Sequence, residues 1–173
     1  KMFAQALTPR NYPLIAYPKA WTRGTKGLVS GEAVLVTISS ESDFATYKGT
    51  LKGKFVLATR ARDLAPRFDP QANRYTDAQL ADLAKLPQRR GGAPGGAPLN
   101  FQAQRDLQNK IMKFWLDEGV LALLEPSRGD GGGTLFVQSG GSRNPSDPPV
   151  VSQVVVASEQ YNRMARTLEK KIP

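Results

Sequence analysis

Apolar residues fall into short β-branched blocks separated by polar and glycine-rich stretches, with a helical repeat in three places. Residues 31–38 (Gly-Glu-Ala-Val-Leu-Val-Thr-Ile) read as a strand opened by a glycine. Residues 54–59 (Lys-Phe-Val-Leu-Ala-Thr) read as a buried strand after the turn signal Lys52-Gly53. Residues 13–17, bracketed by Pro13 and Pro18, suit an edge strand or an extended lead-in. Residues 120–124, 134–137 and 149–156 are further strand candidates, and the glycine cluster between the first two reads as a loop.

The helical repeat is clearest over residues 101–118, where Leu107, Ile111, Phe114 and Trp115 recur on one side and Gly119 supplies a C-terminal cap. Residues 158–170 form a second helix, with Ser158 as N-cap, Tyr161, Met164, Ala165 and Leu168 on one face, and Lys170-Lys171 at the negative end. A shorter helix is expected over residues 76–86, capped by Thr76 or Asp77, and a single helical turn over residues 43–47. Residues 88–99 are built from Gly, Pro, Ala and Arg and predict a flexible internal loop, not a domain boundary. No internal repeat is present. The order predicts one mixed α/β domain over residues 1–173 with a modest sheet.

Composition narrows the chemistry. The 173 residues contain no His and no Cys. That excludes a Ser-His-Asp triad, a Cys-His dyad and His- or Cys-based zinc sites, leaving carboxylate pairs and a Ser-Lys dyad as the formal catalytic options. Asp117-Glu118, at a helix C-terminus where negative charge is unfavourable, read as two solvated surface acids. Ser127 and Ser39-Ser40 have no base at motif spacing. Trp115 and Trp21 are the kind of residue that anchors a core.

The 24 Lys and Arg against 15 Asp and Glu give a net charge of +9. A basic nucleic-acid-binding protein is therefore the alternative function. The positive residues are spread along the chain, densest over residues 48–67, without interleaved aromatics or an RNA-binding signature, so a solvated basic surface and no specific nucleic acid are expected. Arg128-Gly129-Asp130 spells an integrin-type tripeptide that ordinary loop chemistry explains. The glycines after it lead toward a strand candidate, so they do not fit a phosphate cradle, which needs a helix at that point. No stretch approaches the roughly 18 apolar residues of a membrane span. A chain beginning at Lys1 is expected to be a mature or excised fragment.

Three stretches taken together carry a resemblance. The first is Ala20-Trp21-Thr22-Arg23-Gly24-Thr25-Lys26-Gly27 followed by Val29-Ser30-Gly31-Glu32-Ala33-Val34. The second is Asp43-Phe44, then Tyr47-Lys48-Gly49-Thr50-Leu51-Lys52-Gly53-Lys54-Phe55-Val56-Leu57. The third runs from Gly119 through Leu121 and Leu124 to Ser127, then from Asp130 through the glycines to Val137, with Glu159-Gln160-Tyr161-Asn162-Arg163 closing the set. Over nearly its whole length the chain resembles the protease-associated (PA) domain found inserted in bacterial zinc exopeptidases of metallopeptidase family twenty-eight, the aminopeptidase and glutamate-carboxypeptidase-like group.

The resemblance implies a small β-sandwich or open barrel with flanking helices, acting as a non-catalytic lid or spacer. It implies a secreted or periplasmic parent enzyme whose catalytic domain is the partner, with a peptide or protein substrate passing nearby. No cofactor is expected in this segment. Zinc is expected in the absent catalytic domain, since no family ligand maps onto a chain without His. The loops 20–28 and 127–133, with Trp21, Arg23, Lys26, Arg128 and Asp130, are the expected contact residues, facing the catalytic domain or the substrate. Two departures from the pattern are the loose 88–99 insertion and an end at Ile172-Pro173, where a further strand is expected.

Overall fold

The computed structural model describes residues 2–25, 27–66, 68, 70, 72–85, 100–129 and 132–172. The strands are β1 (Gln5–Ala6), β2 (Tyr12–Pro13), β3 (Ala16–Pro18), β4 (Ala33–Leu35), β5 (Phe55–Leu57), β6 (Ala122–Pro126) and β7 (Gln153–Val156). The helices are α1 (Phe44–Tyr47), entered from a 3-10 turn at Glu41–Asp43, α2 (Asp77–Lys85), α3 (Asn100–Asp117) and α4 (Ser158–Glu169). The chain is a mixed α/β fold. The sandwich or barrel implied by the resemblance is not formed among the described residues: the strands make one open five-stranded sheet, ordered β3-β7-β6-β5-β4, with helices packed on both faces, and a two-stranded β1-β2 ribbon.

Strands β4 to β7 are mutually parallel and lie side by side in chain order, while β3 runs antiparallel along β7. Parallel strands covered on both faces are apolar on both sides, which is why the strand sequences read as runs more than as alternations. Val34, Val56 and Leu123 turn to one face, against Ile111 and Trp115 of α3 and Phe44 of α1. The rings of Phe44 and Phe114 stack there, 4.7 Å between centroids. Leu35, Leu57, Leu124 and Val156 turn to the other face, against Tyr161, Ala165 and Leu168 of α4.

At Gly119 and Thr76 the local signals for helix ends act as expected. Gly119 stands at φ 69°, its N–H donates to the Leu116 carbonyl and the Val120 N–H to that of Trp115, both at 3.1 Å. This is the paired C-terminal closure that a left-handed residue makes, and glycine adopts it without a Cβ penalty. Thr76 caps α2 reciprocally: its hydroxyl accepts the Gln79 N–H at 3.3 Å and its own N–H donates to the Gln79 side chain at 2.9 Å.

Three expectations are corrected. Residues 134–137 form no strand of the sheet, and the isolated bridge nearby pairs Ala20 with Ser139, two residues farther along. β6 pairs directly with β7 and β3 takes the other side of β7, so the block is shut out of the sheet interior, and it pairs with neither edge strand, β3 nor β4. Ser158 is not the N-cap of α4. Ala157 holds that position, and the Ser158 hydroxyl donates across to the Ser127 carbonyl at 2.8 Å. Asp117 and Glu118 are not merely solvated acids. Asp117 pairs with Lys113, and Glu118 accepts the Gly49 N–H at 2.6 Å, tying the turn after α1 to the end of α3. The glycine- and proline-rich stretch 88–99 lies outside the described residues.

Candidate functional site

In an open α/β sheet, ligands and reacting groups gather outside the carboxyl ends of the parallel strands. At that end the segment after β5 (residues 59–62), the loop after β6 (127–129) and the first turn of α4 converge. Tyr161 is fully buried, and its hydroxyl donates to the Thr59 carbonyl at 2.7 Å. With its one proton committed there, it accepts from the Thr59 N–H and from the Thr59 hydroxyl at 3.1 and 3.0 Å. Burial pushes the Tyr161 phenol up from its ordinary pKa, against the lowering effect of the Thr59 donors. Asn162, also buried, accepts the Arg62 N–H at 3.0 Å and donates to the Arg62 carbonyl at 2.7 Å, pairing both backbone groups of one residue.

Arg62 then reaches across the gap. One guanidinium nitrogen donates to the Ser127 carbonyl at 2.7 Å, to the Gly129 carbonyl, and to the Ser158 hydroxyl at 2.9 Å. The Ser127 hydroxyl accepts the Phe136 N–H at 2.9 Å and donates to the Arg128 carbonyl. Glu159, one residue into α4, accepts the Gly133 N–H at 3.2 Å. Its carboxyl is held below the usual range chiefly by its own N–H at the helix start, with Gly133 and Gly132 adding to it against the cost of burial. Among the described residues no buried side-chain nitrogen or oxygen lacks a hydrogen-bond partner.

A zinc site does not fit this donor set. The chain has no His or Cys, and no three acids among the described residues are grouped to hold a metal ion. The acids nearest the sheet are engaged elsewhere: Glu125 with Lys19 at 2.9 Å, Glu32 with Lys54 at 2.8 Å, and Asp43 with the N–H groups of Ser39 and Ser40. Those two N–H groups hold the Asp43 carboxyl below its ordinary pKa.

Of the residues expected to make contacts, Lys26 and Asp130 lie outside the described residues. Arg128 is exposed at the end of β6, and Arg23 is exposed with its carbonyl accepting the Ser152 hydroxyl at 2.6 Å. Trp21 is 54 % exposed, whereas Trp115 is a core residue at 2 %. The register separates the two expected loops. Val156, at the carboxyl end of β7, pairs with Ala16, while the Lys19 N–H donates to the Gln153 carbonyl at the opposite end of that strand. The described residues of 127–133 therefore sit at the carboxyl end of the sheet and those of 20–28 at its amino end. Four residue steps of about 3.3 Å from Ile15 to Lys19 set them roughly 13 Å apart.

Trp21 has a built seat. Its φ of 57° lies in the left-handed region, rare for a bulky side chain. The preceding Ala20 carbonyl accepts two N–H groups, from Gly140 at 3.0 Å and Gly141 at 3.3 Å. The buried Gln153 side chain donates to the Gly140 carbonyl at 3.0 Å. A Cβ at position 141 would collide with the Trp21 carbonyl, so only glycine permits this approach. The Arg143 guanidinium stands 5.9 Å from the indole centroid.

The polar clamp joining residues 59–62 to α4 went unseen in the sequence, because its partners lie about a hundred positions apart and no spacing announces them. The seat under Trp21 was hidden likewise, since the Gly140-Gly141 pair reads as an ordinary turn.

No helix among the described residues is long and apolar enough to cross a membrane. No family model matches the sequence, and no curated protein matches it either. Among solved structures the chain is similar to the Peptidase M28 precursor of Shewanella amazonensis, at 10 % identity and a TM-score of 0.48. That likeness covers 98 % of this chain, which spans 31 % of the length of that structure.

Proposed function

We propose that this chain is a non-catalytic, protease-associated type of module belonging to a secreted zinc metallopeptidase, where it sets substrate access or protein contacts beside a catalytic part located elsewhere in the parent protein. The observation that supports this reading best is the closed polar network at the carboxyl ends of β5 and β6. That is where an α/β sheet would carry a reaction. Here Tyr161, Asn162, Ser127, Ser158 and Arg62 spend their polar groups on holding three segments together. A hydroxyl such as that of Ser127, fixed as donor to one backbone group and acceptor of another, has no general base hydrogen-bonded to it among the described residues and is not poised as a nucleophile.

The zinc and the hydrolytic chemistry belong, in this reading, to the catalytic part, in keeping with a chain that carries no imidazole or thiol ligand. The test is direct. The purified chain is incubated with chromogenic aminopeptidase and carboxypeptidase substrates, with and without zinc. No turnover above buffer is expected, and metal-dependent hydrolysis by the chain alone overturns the proposal.

A further inference from the structure

We infer that the Trp21 seat is the contact point of this module and that it takes an acidic polypeptide segment carrying an apolar anchor residue. The inference rests on the contact-module reading above and adds the chemistry of the partner. The seat is over-determined: two N–H groups on the Ala20 carbonyl, the side-chain lock of Gln153 onto Gly140, and the hydroxyl of Ser152 on the Arg23 carbonyl all hold one short loop. A left-handed backbone at a tryptophan persists only when its surroundings impose it, and such strain gathers at functional positions. The result of this ordering is an indole left half in solvent, the opposite of what burial would favour.

Charge decides the partner. Between Ala20 and Gly31 the sequence holds Arg23 and Lys26 and no acid. Arg143 lies over the ring, and neither it nor Arg23 is paired with an acid among the described residues. Asp147, the nearest acid along that segment, accepts instead from the Asn144 amide. Lys19 is already neutralised by Glu125, which leaves Arg143 over the ring and Arg23 two positions along the chain as the cations the seat offers. An exposed tryptophan flanked by arginines is the composition of an interface hot spot, and it complements carboxylates set around an apolar side chain. A nucleic acid strand would be expected to use a succession of stacking rings along a basic groove, and Arg143 already stands on one side of this single indole.

The experiment uses the full chain and fluorescence anisotropy of three labelled probes: a short peptide with one phenylalanine among glutamates, the same peptide with lysines, and an oligothymidylate. The glutamate peptide is expected to bind saturably and to weaken with added salt, with the other two at least tenfold weaker. Trp21→Ala is expected to abolish binding. Arg143→Gln and Arg23→Gln, which leave the backbone seat in place, are each expected to weaken it about tenfold. Lack of binding by the glutamate peptide, equal binding of the lysine peptide or the oligonucleotide, or unchanged binding by the arginine variants overturns the inference. None of those results touches the non-catalytic reading, which fails only on turnover by the chain.

Discussion

Tyr161→Phe isolates the most informative interaction in the molecule, because it removes a hydroxyl and leaves the ring. The side chain is fully buried between α4 and the sheet, and phenylalanine fills the same volume, so no cavity term arises. What is lost is one hydrogen bond donated to the Thr59 carbonyl and two accepted from the Thr59 N–H and hydroxyl. The Thr59 hydroxyl lies in an exposed segment and can turn to water, so the cost falls on the two backbone groups. At about 0.5–1.5 kcal/mol net for each, the expected loss is about 2 kcal/mol. In a chain of this length that lowers Tm by roughly 4–8 °C.

Urea unfolding followed by circular dichroism measures it, with an unchanged m-value as the sign that compactness is preserved. A second reading comes from pH. Burial raises the phenol pKa in the folded chain above its unfolded value of about 10, so the Tyr161 contribution is complete below that pH. It declines as pH rises through the raised folded value. Wild type should therefore approach Tyr161→Phe in stability on the alkaline side, the other tyrosines being common to both. A loss below about 0.5 kcal/mol, or a gap between the two proteins that stays constant through the alkaline range, would refute the clamp as described.

Two further perturbations address the same end of the sheet. Arg62→Met keeps the aliphatic stem but removes the donor shared by Ser127, Gly129 and Ser158; trypsin is expected to cleave after Arg128 several-fold faster in the variant, and an unchanged digestion time course would count against the clamp. Glu159→Gln is expected to cost at most about 0.5 kcal/mol at neutral pH, since the carboxylate is exposed and screened. Because the Glu159 pKa is lowered in the folded chain, its contribution is present above the unfolded carboxyl value and fades as pH falls through the folded one, so thermal melts of the two proteins should converge in acid.

Local sequence decided the elements whose causes are local. The repeat of Leu107, Ile111 and Trp115 with Gly119 behind it determined α3 and its ending, because an amphipathic stripe and a left-handed cap are properties of a few adjacent residues. The uncharged β-branched blocks determined β4, β5 and β7 in the same way, and the missing imidazole and thiol limited the chemistry before any fold was known. Tertiary structure alone decided the rest. The 134–137 block has the composition of a strand, yet β7 pairs with β6 on one side and β3 on the other, and the block joins no ladder. Tyr161 reads as one more apolar contact of α4, yet its hydroxyl binds a segment 102 residues away. The described residues of the two expected contact loops lie at opposite ends of the sheet because strand direction, unlike strand identity, is settled by pairing with distant partners. Hydrogen bonds and ladder positions are shared resources, and which residue obtains them depends on competition across the whole chain.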